Sequence, residues 1–206
     1  MGLYETLLET YGQNEPILKT EITYKNYSKP WIAKELAKLC DDEKIVRFEK
    51  GVYYIPSQTP FGPGKLNPYK VLEKKYLYKG SDVIGYYAGV KLLNQTGLST
   101  QMANAVEIYT NNETSIVREV KIGSQKVLLR KARTSITKEN AAVLCFLELM
   151  NQVPASYFND ERRAVIKNYI QEKQITRKDI TRYAPVFPDK AMRTLVESEV
   201  IYLVTL

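Results

Sequence analysis

Histidine is missing altogether from this chain of 206 residues. That absence excludes Ser-His-Asp and Cys-His nucleophile activation, and with them every metal centre built on imidazole ligands. Cysteine is scarce: Cys40 and Cys145 are the only two, far apart and each inside an apolar helical pattern. Two thiols cannot build a structural zinc site, and their placement points to a reducing compartment without a disulfide framework. No Gly-Lys-Ser/Thr follows the Gly62-Pro63-Gly64 turn, so that turn is not a phosphate-binding loop. Gly80-Ser81 is followed by no Asp-x-Asp or Asp-x-Glu pair, which metal-dependent nucleotidyl transfer requires. The acidic runs at 41–43 and 160–161 read instead as a helix end and a helix start. Long hydrophobic runs are lacking as well: the longest, 141–147, is too short to span a bilayer and is interrupted by Glu148. No charged N-terminal region precedes an apolar run, so no secretory signal is visible. These absences together predict a cytoplasmic protein that is not an enzyme, with no cofactor, no metal and no membrane contact.

What the chain has is positive charge, a formal +7, unevenly spread. Residues 28–80 hold eleven Lys/Arg against six Asp/Glu, and residues 118–138 hold seven against Glu119 alone. An excess of this kind fits a nucleic-acid partner.

Residues 14–55 carry the most readable pattern. Asn14 can cap a short helix over 16–22, with Pro16 in its first turn, and a polar turn follows at 23–27. A longer helix over 28–40 opens at Ser28, and its apolar positions Ile32, Leu36, Leu39 and Cys40 share one face. Strands at 45–48 and 52–55 then flank the turn at Gly51. Helix, turn, helix and hairpin in that order are a winged helix-turn-helix, whose second helix enters the major groove of double-stranded DNA. In that arrangement Lys25, Tyr27, Ser28 and Lys29 face phosphates and base edges. Lys34 and Lys38 follow the groove, and Arg47 and Lys50 on the wing reach the flanking backbone. The second helix has neither Arg nor Gln, the strongest bidentate base readers, so modest sequence specificity is expected.

Turn formers crowd residues 56–68, which places the boundary between a DNA-binding domain at 1–60 and a second domain at 65–206. Helices are expected at 69–78 and 84–93, then strands at 105–110, 116–122 and 126–131 in a meander. Thr137 can cap an apolar helix over 140–150 buried under the sheet. Arg118, Lys121, Arg130, Lys131 and Arg133 would decorate the sheet and its exit loop. The tail, 157–206, reads as helices at 160–172, 177–183 and 188–199 with a closing strand at 200–206; Thr176 and Asp179 form a capping box. The expected fold is therefore α+β: a winged helix-turn-helix, a mixed α/β domain with an antiparallel sheet, and a helical C-terminal tail.

Several segments in order carry a family likeness: 44–56 (Lys-Ile-Val-Arg-Phe-Glu-Lys-Gly-Val-Tyr-Tyr-Ile-Pro), 85–89 (Gly-Tyr-Tyr-Ala-Gly) with Leu92-Leu93-Asn94, 97–101 (Gly-Leu-Ser-Thr-Gln), 106–111 (Val-Glu-Ile-Tyr-Thr-Asn) and Leu129-Arg130-Lys131. Through them the chain resembles the AbiEi-like antitoxins of type IV toxin–antitoxin (abortive infection) systems, over roughly residues 15–150. The resemblance implies a winged helix that binds inverted repeats in its own promoter and represses the operon. It also implies a C-terminal domain that counters a nucleotidyltransferase-like toxin without a stable complex. Arg118, Lys121, Arg130, Lys131 and Arg133 are then the candidate antitoxic surface. The alternative is a plain winged-helix transcriptional regulator whose C-terminal domain senses a ligand or dimerises.

Overall fold

The computed structural model describes residues 2–204. They form two compact α+β units: one runs through Lys75 and takes in Ile122–Ser124, the other holds Tyr76–Lys121 and the chain from Gln125 onward.

The first unit opens on α1 (Leu3–Tyr11), whose Leu3 and Leu7 are one turn apart and buried. Gly12 ends it at φ +76°, its N–H donating to the Leu8 carbonyl at 2.9 Å. The chain then lays down β1 (Ile17–Leu18), α2 (Lys29–Asp41), β2 (Val46–Glu49) and β3 (Val52–Tyr54). The three strands pair in the order β1-β3-β2, all antiparallel, with a bulge between Arg47 and Glu49. Gly51 makes the β2–β3 turn at φ +80°, a conformation costly for any residue with a Cβ. Leu3, Leu7, Ile17, Ile22, Ile32, Leu36, Leu39, Ile45 and Ile55 fill the core beneath the sheet. A small hairpin, β4 (Gln58–Thr59) with β5 (Gly62–Pro63), and α3 (Pro68–Tyr76) follow.

One expectation fails here. Residues 16–22 are a strand and a turn, not a helix. Ile17 pairs with Tyr53 and is fully buried, and Lys19 N–H donates to the Gly51 carbonyl, so sheet pairing overrides local helix signals. Asn14 is no helix cap. At φ +53° it holds the other end of the unit, donating from Nδ2 to Ser57 Oγ at 2.6 Å and accepting from Ser57 N–H.

In the second unit a short hairpin, β6 (Tyr78–Lys79) with β7 (Asp82–Val83), leads into β8 (Gly85–Ala88) and α4 (Gly89–Gln95). The helix expected over 84–93 thus begins as a strand. Gly85 explains the switch: a Cβ there would stand 2.1 Å from the Tyr76 carbonyl oxygen and 2.8 Å from that of Tyr109, a fit only glycine in a tightly paired strand allows. Next come β9 (Val106–Thr110), β10 (Val117–Ile122) and β11 (Gln125–Lys131). The sheet order is β10-β11-β9-β8, with β8 antiparallel and β11 parallel to β9. The expected antiparallel meander is therefore wrong: β11 inserts between β10 and β9, and the sheet is mixed.

Helix α5 (Ala141–Gln152) packs on β8; Asn140 precedes it without a side-chain cap bond, its Oδ1 accepting instead from Thr137 N–H, and the expected Thr137 cap is replaced by the Thr137 carbonyl accepting from Ala141 N–H. Val143, Leu144, Phe146, Leu147, Leu149 and Met150 are all buried on it, which contributes on the order of 10 kcal/mol of hydrophobic stabilisation before chain entropy. Helices α6 (Asp160–Glu172), α7 (Arg177–Tyr183) and α8 (Asp189–Glu197) complete the layer, α7 with the Thr176–Asp179 capping box. Residues 200–203 form a 3-10 turn, not a closing strand, and residues 205–206 of that expected strand lie outside the described residues.

Candidate nucleic-acid interface

Helix α2 is held by its buried face and shows its other face to solvent. Ser28 caps it, accepting from Trp31 N–H at 3.4 Å, and Pro30 sits in the first turn where no N–H is required. Ile32, Leu36 and Leu39 are buried, so Pro30, Lys34, Ala37, Lys38 and Asp41 form the exposed stripe. No ion pair reaches Lys34 or Lys38 among the described residues. On the hairpin beside this helix Arg47 and Lys50 are exposed as well.

Lys29 is placed differently. Its ammonium donates to the carbonyls of Ile22 (2.8 Å) and Thr20 (3.2 Å), so it fastens the turn that precedes α2. Lys25 lies in that turn at φ +45°, with its ammonium 5.0 Å from the centre of the Tyr24 ring; hydrogen bonding to Tyr24 raises its pKa. Tyr24, Tyr27 and Trp31 stack nearly parallel, Tyr27 on Trp31 with centroids 3.9 Å apart. Tyr27 keeps 46% of its surface exposed, forming a flat apolar step at the leading end of α2. Tyr24 and Trp31 belong to this end of the helix although sequence reasoning had singled out only Tyr27. Their spacing of three and four residues from it was the visible signal.

The basic residues of the second unit are mostly engaged. Arg118 donates from Nε to the buried Glu113 at 2.6 Å. Arg130 binds Glu107 at 2.8 Å. Arg133 reaches the buried Glu148 at 3.3 Å and the Tyr109 hydroxyl at 3.0 Å, between the rings of Tyr109 and Phe187. Burial pushes the Glu148 carboxyl up, with Arg133 pulling it back down. Of the five candidate residues Arg118, Lys121, Arg130, Lys131 and Arg133, Lys121 and Lys131 stand exposed without such partners among the described residues. The five do not form one continuous cationic surface. Arg130 and Arg133 with their glutamates, Tyr109 and Gln152 instead line a polar pocket of about 440 Å³. Glu148 was the missed signal: a carboxylate inside an apolar helix requires a partner.

A family model described as a family of unknown function, DUF6088, matches residues 17–178. The chain belongs to that family. No curated protein matches it. The DUF6088 span takes in α2, the β2–β3 hairpin and the whole four-stranded sheet.

Neither thiol of this DUF6088 chain is an activated nucleophile. Burial raises the Cys40 thiol and pushes the Cys145 thiol up to about 12, so both are protonated at neutral pH. Among the described residues no cluster of His, Cys, Asp and Glu could hold a metal ion, and no helix is long and apolar enough to cross a membrane.

Proposed function

We propose that this protein is a DNA-binding transcriptional repressor of its own operon and an antitoxin against a nucleotidyltransferase-like toxin encoded beside it. The observation that carries the reading is the exposed Lys34–Lys38 stripe of α2, set beside a hairpin that presents Arg47 and Lys50. An order of helix, strand, helix and hairpin, with β1 closing onto β3, supports a winged helix whose usual first helix of the helix-turn-helix is reduced to the turn at 19–27. Lys25, Lys34, Lys38, Arg47 and Lys50 then neutralise phosphates, Tyr27 and Ser28 meet the groove edge, and Lys29 positions the helix. The antitoxin half rests on the resemblance to AbiEi-like antitoxins.

A second reading, a winged-helix regulator with a ligand-sensing second unit, is favoured by the polar pocket around Arg133 and Glu148. Two experiments decide. Gel retardation should show the protein holding DNA from its own upstream region more tightly than unrelated DNA of equal length; equal retardation refutes autorepression. Co-expression with the adjacent toxin should restore growth, whereas growth arrest with the folded protein present leaves the sensor reading.

A further inference from the structure

The outward stripe of α2 restricts what it can read. Pro30, Lys34, Ala37 and Lys38 fall at i, i+4, i+7 and i+8 and are all exposed, with Ala33 partly exposed beside them. None of them carries an amide or a guanidinium, so the forked pairings of Asn or Gln with adenine and of Arg with guanine cannot come from this face, and the ammoniums of Lys34 and Lys38 are its only donors to base edges. Asp41 is the one acceptor on the stripe and stands in the last turn, where its charge opposes close approach to phosphate. The Ser28 hydroxyl oxygen is occupied as the helix cap. Between the lysines the stripe offers methyl surface, and at its leading end the exposed ring of Tyr27 braced on Trp31.

In the major groove one base feature matches methyl and ring surface, the 5-methyl group of thymine. Resting on the duplex-binding reading above, we infer that the protein selects its sites through thymine methyl groups. Ala37 and Tyr27 are the specificity-determining contacts, and Lys34 and Lys38 are sequence-blind contacts to phosphate. Each methyl buried against the helix is worth about a fourfold gain in affinity, so two give roughly fifteenfold.

The test compares alternating poly(dA–dT), poly(dA–dU) and poly(dG–dC) duplexes with the full chain at one low ionic strength. The first two polymers differ only in the thymine methyl. Binding to poly(dA–dT) should exceed binding to poly(dA–dU) about fifteenfold. Ala37→Ser, a mild change on an exposed helix face, should shrink that ratio, and Tyr27→Ser should shrink it further. Paired Lys34→Ala and Lys38→Ala should weaken all three duplexes alike and keep the ratio. Equal affinity for the thymine and uracil polymers, or a ratio untouched by Ala37→Ser, overturns the methyl readout while the duplex-binding reading stands. No binding to any of the three duplexes overturns the duplex-binding reading itself.

Discussion

Replacing Arg133 with Met would separate a structural role for the second unit's arginines from a partner-facing one. Arg133 is the cation that faces Glu148, whose side chain is only 4% exposed, and Met keeps most of the apolar stem between the Tyr109 and Phe187 rings. Removing one partner of a fully buried pair costs about 3–5 kcal/mol. Arg133 is 25% exposed and its contact to Glu148 is 3.3 Å, so solvent screening reduces the expected loss to about 2–3 kcal/mol. The loss should depend on pH. The folded state already holds Glu148 above its ordinary range, and without Arg133 desolvation acts unopposed by that charge. A carboxyl raised in the fold keeps a proton that the unfolded chain has released. Its contribution is therefore fully present below the unfolded pKa and is lost as pH rises through the folded one. Urea unfolding followed by far-UV ellipticity, at about pH 5 and about pH 8, should show the larger deficit at the higher pH. Trp31, the only tryptophan, reports the first unit separately by its fluorescence. A double change, Arg133→Met with Glu148→Leu, should recover most of the stability, because no unpaired buried charge remains. A loss below about half a kcal/mol, or one independent of pH, would refute the assignment of Arg133 as a buried partner.

Lys29→Met removes two charge-assisted bonds to the turn and should cost about 1 kcal/mol in thermal unfolding, weakening DNA binding without changing its salt dependence; a shallower salt slope would return Lys29 to the phosphate contacts. Gly85→Ala forces a Cβ against the Tyr76 carbonyl oxygen at 2.1 Å and should destabilise the second unit by more than about 3 kcal/mol, and a variant that unfolds like the parent contradicts the strand register. Alkylation of Cys145 by iodoacetamide should be slow at neutral pH and quicken with each pH unit towards a thiol pKa of about 12; fast labelling in the folded protein at neutral pH contradicts the raised thiol pKa.

The parts of the fold that are local in origin were legible. The bounds of α6 and α7 follow from local signals, because apolar periodicity and, for α7, the Thr176–Asp179 box belong to the same short segments as the helices they mark. The strands β9, β10 and β11 were also visible one by one, but their order was not. Nothing along the sequence says that β11 will insert between β10 and β9 and run parallel to β9. Residues 16–22 show the same limit, since Ile17 is drawn into pairing by Tyr53, far along the chain. α1 went unread although Leu3, Leu7 and the Gly12 stop were present as signals. At the candidate interface the exposure of Lys34, Lys38, Arg47 and Lys50 follows from the apolar face opposite them. The engagement of Lys29, Arg118, Arg130 and Arg133 depends on partners that only the folded chain brings close.

The central proposition is that the outward lysines of α2, together with Lys25, Arg47 and Lys50, neutralise phosphates of duplex DNA. Five such contacts predict a log affinity against log salt slope of about −4.5, falling in magnitude to about −2.7 when Lys34 and Lys38 are both changed to Ala. A salt titration of upstream DNA binding by the parent and the paired variant should give that shallower slope. The same slope in both proteins would contradict the account.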